Sequence, residues 1–225
     1  MAVATSQYLK AIPLLPSRVE LLVGEVPWEE YEQLLEDLGP KSSARVFYHQ
    51  GRMWIVPPLP EHERPKVVVN RLMGALSEEL KMPVISFGSS TFKREKSARG
   101  AEPDDSFYVR HADQLLDKKQ IDLDTDPPPD IVVEIDHTST SIDKFSIYAG
   151  LGVPEIWRVL GSKVEIYLLV GDHYDESKTS RTFPALTSAT LSEFLEQGLK
   201  QGEWIAAPAF REWLRQNYLP NSRTL

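Results

Sequence analysis

The 225-residue chain contains no cysteine. That absence excludes a disulfide framework, a thiolate nucleophile, a zinc–cysteine site and an iron–sulfur cluster, and it removes any argument for an oxidising compartment. Long apolar runs are missing as well. Stretches such as Tyr167 to Val170 fall far short of the ~18 residues a membrane span requires, and MAVATSQYLKAIPLLPSRVELL at the N-terminus lacks a sustained apolar segment. A soluble, cytoplasmic protein with no membrane partner is the expectation. Nor is there an excess of positive charge. Lys and Arg number 25 against 33 Asp and Glu, a net charge of −8, which opposes indiscriminate attraction to polyanions but leaves room for a local basic patch or a metal that reverses the field. No internal repeat is visible, so solenoids and propellers are set aside.

What is present fits an ordinary globular protein. Hydrophobic residues make up 41% and charged residues 26%, which excludes global disorder. At roughly 150 residues per domain, the length fits one domain with extensions. We expect a loose arm over 1–26, a main domain over 27–200 and a C-terminal helical extension over 201–225.

Periodicity supplies the elements. Pro27 opens a helix whose stripe is Trp28, Tyr31, Leu34, Leu35 and Leu38, ended by Gly39-Pro40. Arg45 to His49 and Arg52 to Val56 flank Gln50-Gly51 and read as a hairpin. A second helix carries Val69, Leu72, Met73, Leu76 and Leu80, with Pro65 in its first turn and Pro83 closing it. Strands are expected at Val84–Phe87, Thr91–Lys93, Ser106–Val109, Ile131–Asp136, Ile156–Leu160 and Val164–Val170, with a short helix near Ile142–Leu151. Thr190 and Glu193 form a capping box for a further helix, and Phe210, Trp213, Leu214 and Tyr218 mark a last one. Helices alternating with strands imply an α/β class, a mixed sheet flanked by helices. The apolar terminal helices also offer a homodimer interface.

Ile131-Val132-Val133-Glu134-Ile135-Asp136 is the informative segment. Alternation puts Glu134 and Asp136 on the face of Val132, opposite Ile131, Val133 and Ile135. Carboxylates in so apolar a strand need a partner, unless this is an edge strand with one solvated face. A second acidic cluster, Glu102-Pro103-Asp104-Asp105, reads as a plain turn or as the start of a neighbouring strand. In the second case Asp104 and Glu134 converge on an oxygen-rich site suited to Mg²⁺ or Mn²⁺. The basic run Lys93, Arg94, Lys96 and Arg99 is either a solvated loop or a set of phosphate contacts beside that site.

Pro129-Asp130-Ile131-Val132-Val133-Glu134-Ile135, a Ser/Thr-rich turn, then Asp143-Lys144-(x)3-Tyr148-Ala149-(x)2-Gly152-Val153-Pro154-Glu155-(x)-Trp157, resembles the Uma-two family of restriction-type endonucleases. The resemblance runs from about Trp28 to the Tyr174 region and is most specific over Val132–Trp157. It implies the PD-(D/E)xK nuclease superfamily, with a restriction-endonuclease-like mixed sheet between helices, Mg²⁺ or Mn²⁺ as cofactor and DNA as partner. Mapped by motif, Asp104 and Glu134 are the metal-binding acids. The superfamily lysine two residues beyond the Glu is replaced here by Asp136, and the family's answer is a lysine moved to the next helix, which is Lys144. Tyr148, one turn on, shares its face. His62 stands where the family often has a histidine before the long helix; a helix-entry residue bonded to backbone is the plainer reading. His137 is also near the site in sequence, and no set of histidines stands at zinc-ligand spacing. The resemblance implies a metal-dependent endonuclease hydrolysing DNA phosphodiesters. Glu134-x-Asp136 supports the alternative of a catalytically drifted nucleic-acid-binding or interaction protein on the same fold.

Overall fold

The computed structural model describes residues 5–16, 19–39, 42–58, 60–136 and 143–218. Among these, two sheets pack with six helices. The first sheet has the order β1 (Leu21–Val23), β3 (Arg52–Val56), β2 (Arg45–His49), β6 (Arg99–Ala101), β5 (Phe92–Arg94), every pairing antiparallel. The second runs β11 (His173–Ser177), β10 (Lys163–Val170), β9 (Glu155–Leu160), β8 (Ile131–Asp136), β7 (Asp105–Tyr108), β4 (Ile85–Ser86). It is mixed, because β8 pairs parallel to β9 and antiparallel to β7.

Strand β8 is therefore interior, and all six of its residues are buried. The edge-strand alternative for Glu134 and Asp136 is excluded, so their charges need partners inside the protein. Ile131, Val133 and Ile135 enter a core with α3 (Pro60–Leu80), α5 (Ser188–Gln201) and α6 (Glu203–Trp213). Each is at most 1% exposed, worth about 1.5–3 kcal/mol of hydrophobic stabilisation per side chain. Val132 enters a second core, between the sheets, where Phe47, Trp54 and Phe92 meet Ile147, Tyr148 and Leu151 of α4 (Lys144–Leu151). A short helix is thereby wedged between two sheets, and its N-terminal turn meets the carboxylate face of β8.

Some boundaries differ from the periodicity. Helix α3 starts at Pro60, a turn earlier than expected, so Pro65 lies inside it and removes one backbone hydrogen bond. Helix α5 is capped by Thr187, whose Oγ1 accepts from the Thr190 N–H at 3.0 Å; Thr190 lies in the first turn instead of at the cap. The segment that looks like a loose arm contributes α1 (Ser6–Ala11) and β1. Buried Tyr8 donates to Glu30 at 2.6 Å from α1 to α2 (Trp28–Leu38), which ties the segment down. At the other end, Phe210 and Leu214 pack within the chain into the α3–α5 core. Among the described residues no helix is long and apolar enough to cross a membrane.

Candidate active site

Antiparallel pairing of Asp105 with Val133, continued by one residue, sets Asp104 opposite Glu134. Side-chain alternation then separates the two aspartates of the Pro-Asp-Asp element. Asp105 turns towards α3, accepting from Asn70 and, at 2.7 Å, from Ser86. Asp104 shares the face of Tyr108 and Val132 and points to the inter-sheet side. Its Oδ2 accepts from the Ile135 N–H at 2.8 Å, and its Oδ1 lies 3.0 Å from His62 Nδ1 and bonds to the Arg45 guanidinium.

Glu134 is held from α4. Lys144 Nζ lies 2.6 Å from its Oε2, and the Tyr148 hydroxyl donates to its Oε1. One helical turn separates Lys144 from Tyr148, so both reach the same carboxylate. Asp143 caps that helix by accepting from the Ser146 N–H at 3.1 Å, fixing where Lys144 begins it. Lys144 also reaches Asp136 Oδ1 at 3.1 Å and lies 5.3 Å from the Phe47 ring centroid. The second oxygen of Asp136 accepts from Arg158 Nε at 2.8 Å.

Three carboxylates thus meet three permanent cations: Asp104, Glu134 and Asp136 against Arg45, Lys144 and Arg158. Burial pushes Asp104 up, yet the His62 hydrogen bond and the charges of Arg45 and Lys144 outweigh it and hold the carboxyl well below its usual range. Glu134 goes the other way. Burial raises it, Lys144 opposes, and the negative charges of Asp104 and Asp136 add to the rise. Lys144 loses solvation, but Glu134, Asp136 and Asp104 keep it protonated beyond the ordinary lysine range. Tyr148 is pushed far up by burial and by Glu134, so it remains a neutral donor.

The site residues expected from sequence therefore gather at one place: Asp104, Glu134, Asp136, Lys144, Tyr148 and His62. His137 lies outside the described residues. The basic run disperses. Lys93 pairs with Glu32 at 2.5 Å, Arg94 donates to the Leu123 carbonyl at 3.0 Å, and Arg99 lies against Gly150 of α4. Only Lys96 of the four stands well into solvent, 86% exposed. Its neighbours are drawn towards the protein because Lys93 and Arg94 lie on β5 and Arg99 on β6, with only the short turn Glu95–Ser97 between the strands.

Two cations at the site escape sequence reasoning. Arg45 lies 59 residues before Asp104, and Arg158 stands in register with Glu134 on the parallel neighbour β9. The available signal is alternation: Arg45 shares a face with Phe47, and Arg158 with Ile156, both of the inter-sheet core. A cleft of about 940 Å³ opens beside the site between α2, β5 and the 42–45 segment, and Arg45, Glu102, Thr91, Lys93 and Lys119 line it. Glu102 closes one wall by accepting from the Val46 N–H at 2.7 Å and from Thr91.

A family model described as "Uma2: Putative restriction endonuclease" matches residues 28–207. Among solved structures, the chain is similar to the crystal structure of "a putative nuclease belonging to DUF820 from Anabaena variabilis ATCC 29413", with a TM-score of 0.51 and 15% identity, over 74% of this chain and 97% of that one. No curated protein matches. At that identity the likeness concerns the fold, a restriction-endonuclease-like mixed α/β arrangement.

Proposed function

The chain belongs to the Uma2 family of restriction-endonuclease-type proteins, and from that membership and the clustered site we propose a divalent-metal-dependent endonuclease that hydrolyses DNA phosphodiester bonds. The observation that carries this reading is the meeting of Asp104, Glu134 and Lys144 at one buried point beside an open cleft.

The donor set fits a hard cation. It consists of oxygens alone, and a carboxylate offers about four lone-pair sites. Glu134 uses two, for Lys144 and Tyr148. Asp104 uses three, for Arg45, His62 and Ile135. Two carboxylates, Asp104 and Glu134, are a set of the size that suits Mg²⁺, which is commonly held by one or two carboxylates and completed by water and substrate phosphate. When bound, such an ion neutralises charge on the phosphodiester and makes water a stronger nucleophile at neutral pH.

The remaining roles follow from the protein's own groups. Asp104 and Glu134 hold the cation. The Ile135 N–H and His62 fix the Asp104 carboxylate, and Tyr148 fixes that of Glu134, so neither need reorganise. Lys144 stays protonated, which makes it a source of positive charge on the attacking water or on the developing phosphorane and not a base. Asp136 anchors Lys144 from the far side. Lys96, the most exposed member of the basic run, is the one we assign to DNA phosphate.

One observation favours a second reading, a nucleic-acid-binding protein that has lost catalysis: the three acids are already balanced by three cations. A plasmid-cleavage time course with Mn²⁺ separates the two. Cleavage that falls by orders of magnitude in Lys144→Met, with partial return in Asp136→Lys/Lys144→Met, supports the endonuclease. Binding without cleavage by the wild type supports the second reading.

A further inference from the structure

We propose that Arg45 is the phosphate-recognising residue of this site: it holds Asp104 in the resting protein and turns its guanidinium to the substrate phosphate when a divalent cation takes Asp104. The inference rests on the endonuclease reading and adds to it a residue outside the sequence motif. Arg45 opens β2 on the face of Phe47, and it both bonds to Asp104 and lines the cleft. The Asp104 side chain is fully buried whereas that of Arg45 is 18% exposed, so the cleft meets the acid through the arginine.

Chemistry favours movement of the arginine over movement of the acid. The Ile135 N–H at 2.8 Å and His62 at 3.0 Å hold Asp104 independently of Arg45. A cation arriving on that carboxylate repels the guanidinium beside it. Arg45 commits one terminal nitrogen, Nη1, to Asp104, and a guanidinium has five N–H donors in a fork that fits two phosphate oxygens. Lys144 cannot make the same exchange: its ammonium is clamped between Glu134 and Asp136 and its side chain is only 11% exposed. Of the other cations that line the cleft, Lys66, Lys93 and Lys119, Lys93 is engaged by Glu32 at 2.5 Å.

The test is a signed one. Isothermal titration with Mn²⁺ in the absence of DNA should show Arg45→Met binding the metal roughly ten- to a hundredfold more tightly than wild type, the equivalent of one lost charge-assisted hydrogen bond that competes for Asp104. A merely structural arginine would leave metal affinity unchanged or weaken it. With a short DNA duplex in Ca²⁺, the same variant should bind more weakly, and its log–log salt slope should be shallower by about 0.9, one phosphate contact. Arg45→Gln, which loses the charge but keeps a donor, should move both quantities in the same directions by less, and it serves if circular dichroism shows the Met variant unfolded. Unchanged or weaker Mn²⁺ binding in a folded variant, or an unchanged salt slope, overturns the inference. If the wild type binds and cuts while the variants show no such shift, this inference alone fails; a wild type that neither binds Mn²⁺ nor cuts removes the endonuclease reading with it.

Discussion

Lys144→Met removes the cation that two buried acids share while keeping nearly the same volume. Glu134 is 1% exposed and its Oε2 lies 2.6 Å from the ammonium. Removing one partner of a buried pair costs about 3–5 kcal/mol. Here the loss has an upper bound, because Tyr148 still donates to Glu134, Arg158 still holds Asp136, and Glu134 can take up a proton. Its pKa is already raised by burial and by the neighbouring acids, and losing Lys144 raises it further. An acid whose folded pKa lies above its unfolded value binds its proton more tightly in the folded state. The variant therefore loses stability as pH rises from about 4.3 through the new folded pKa, at ~1.4 kcal/mol per unit. Urea denaturation of wild type, Lys144→Met and Glu134→Gln/Lys144→Met at pH 5 and pH 8 measures this. We expect a deficit under about 1 kcal/mol at pH 5, about 3 kcal/mol at pH 8, and recovery of most of the latter in the double variant. A deficit equal at both pH values, or a double variant no more stable than Lys144→Met at pH 8, refutes the reasoning.

Asp104→Asn should cost about 3 kcal/mol at pH 7, since it leaves Arg45 without its counter-charge. Because the folded pKa of Asp104 is depressed, its contribution is present above about pH 4 and is lost as pH falls towards the folded value; melts at pH 7 and pH 3 should show the gap narrowing. Lys96→Ala should weaken DNA binding with a salt slope shallower by about 0.9 and leave stability within about 0.5 kcal/mol, whereas Arg94→Ala should lower stability in a urea melt through lost bonds to Leu123. Gly100→Ala should destabilise by about 1–3 kcal/mol, because its Cβ would enter the space of the buried Tyr31 ring; an unchanged melt would show that the ring can withdraw.

Long, strongly periodic elements are legible in the sequence. The stripe Trp28 to Leu38 gave α2, Gln50-Gly51 marked the turn between β2 and β3, and the dense run Ile131 to Asp136 gave the strand that carries the acids. The candidate site is legible where the chain concentrates it, from Glu134 to Tyr148, and Asp104 follows from the motif. Less accessible were features that exist only through contact. Strand β1 has three residues, too few for alternation to register, and is a strand because Leu21 to Val23 pair with β3. The basic run from Lys93 to Arg99 reads equally well as a solvated loop, yet its end opens β6, where Gly100 lets the strand lie against Tyr31. Arg45 and Arg158 carry only the weak local mark of alternation with Phe47 and Ile156. Their roles arise from two different sheet registers, and such long-range pairings leave no trace within a short window of sequence.

The proposed activity depends on Asp104 and Glu134 holding one divalent cation for phosphodiester cleavage. Its most direct test is a supercoiled-plasmid time course with Mn²⁺, and in parallel with EDTA, for the wild type, Asp104→Asn and Glu134→Gln, with folding verified by circular dichroism. Nicked and linear products are expected from the wild type with Mn²⁺ only, with a rate reduced by at least about a hundredfold in each folded variant. Cleavage that persists in EDTA, or that either folded variant performs at the wild-type rate, would contradict it.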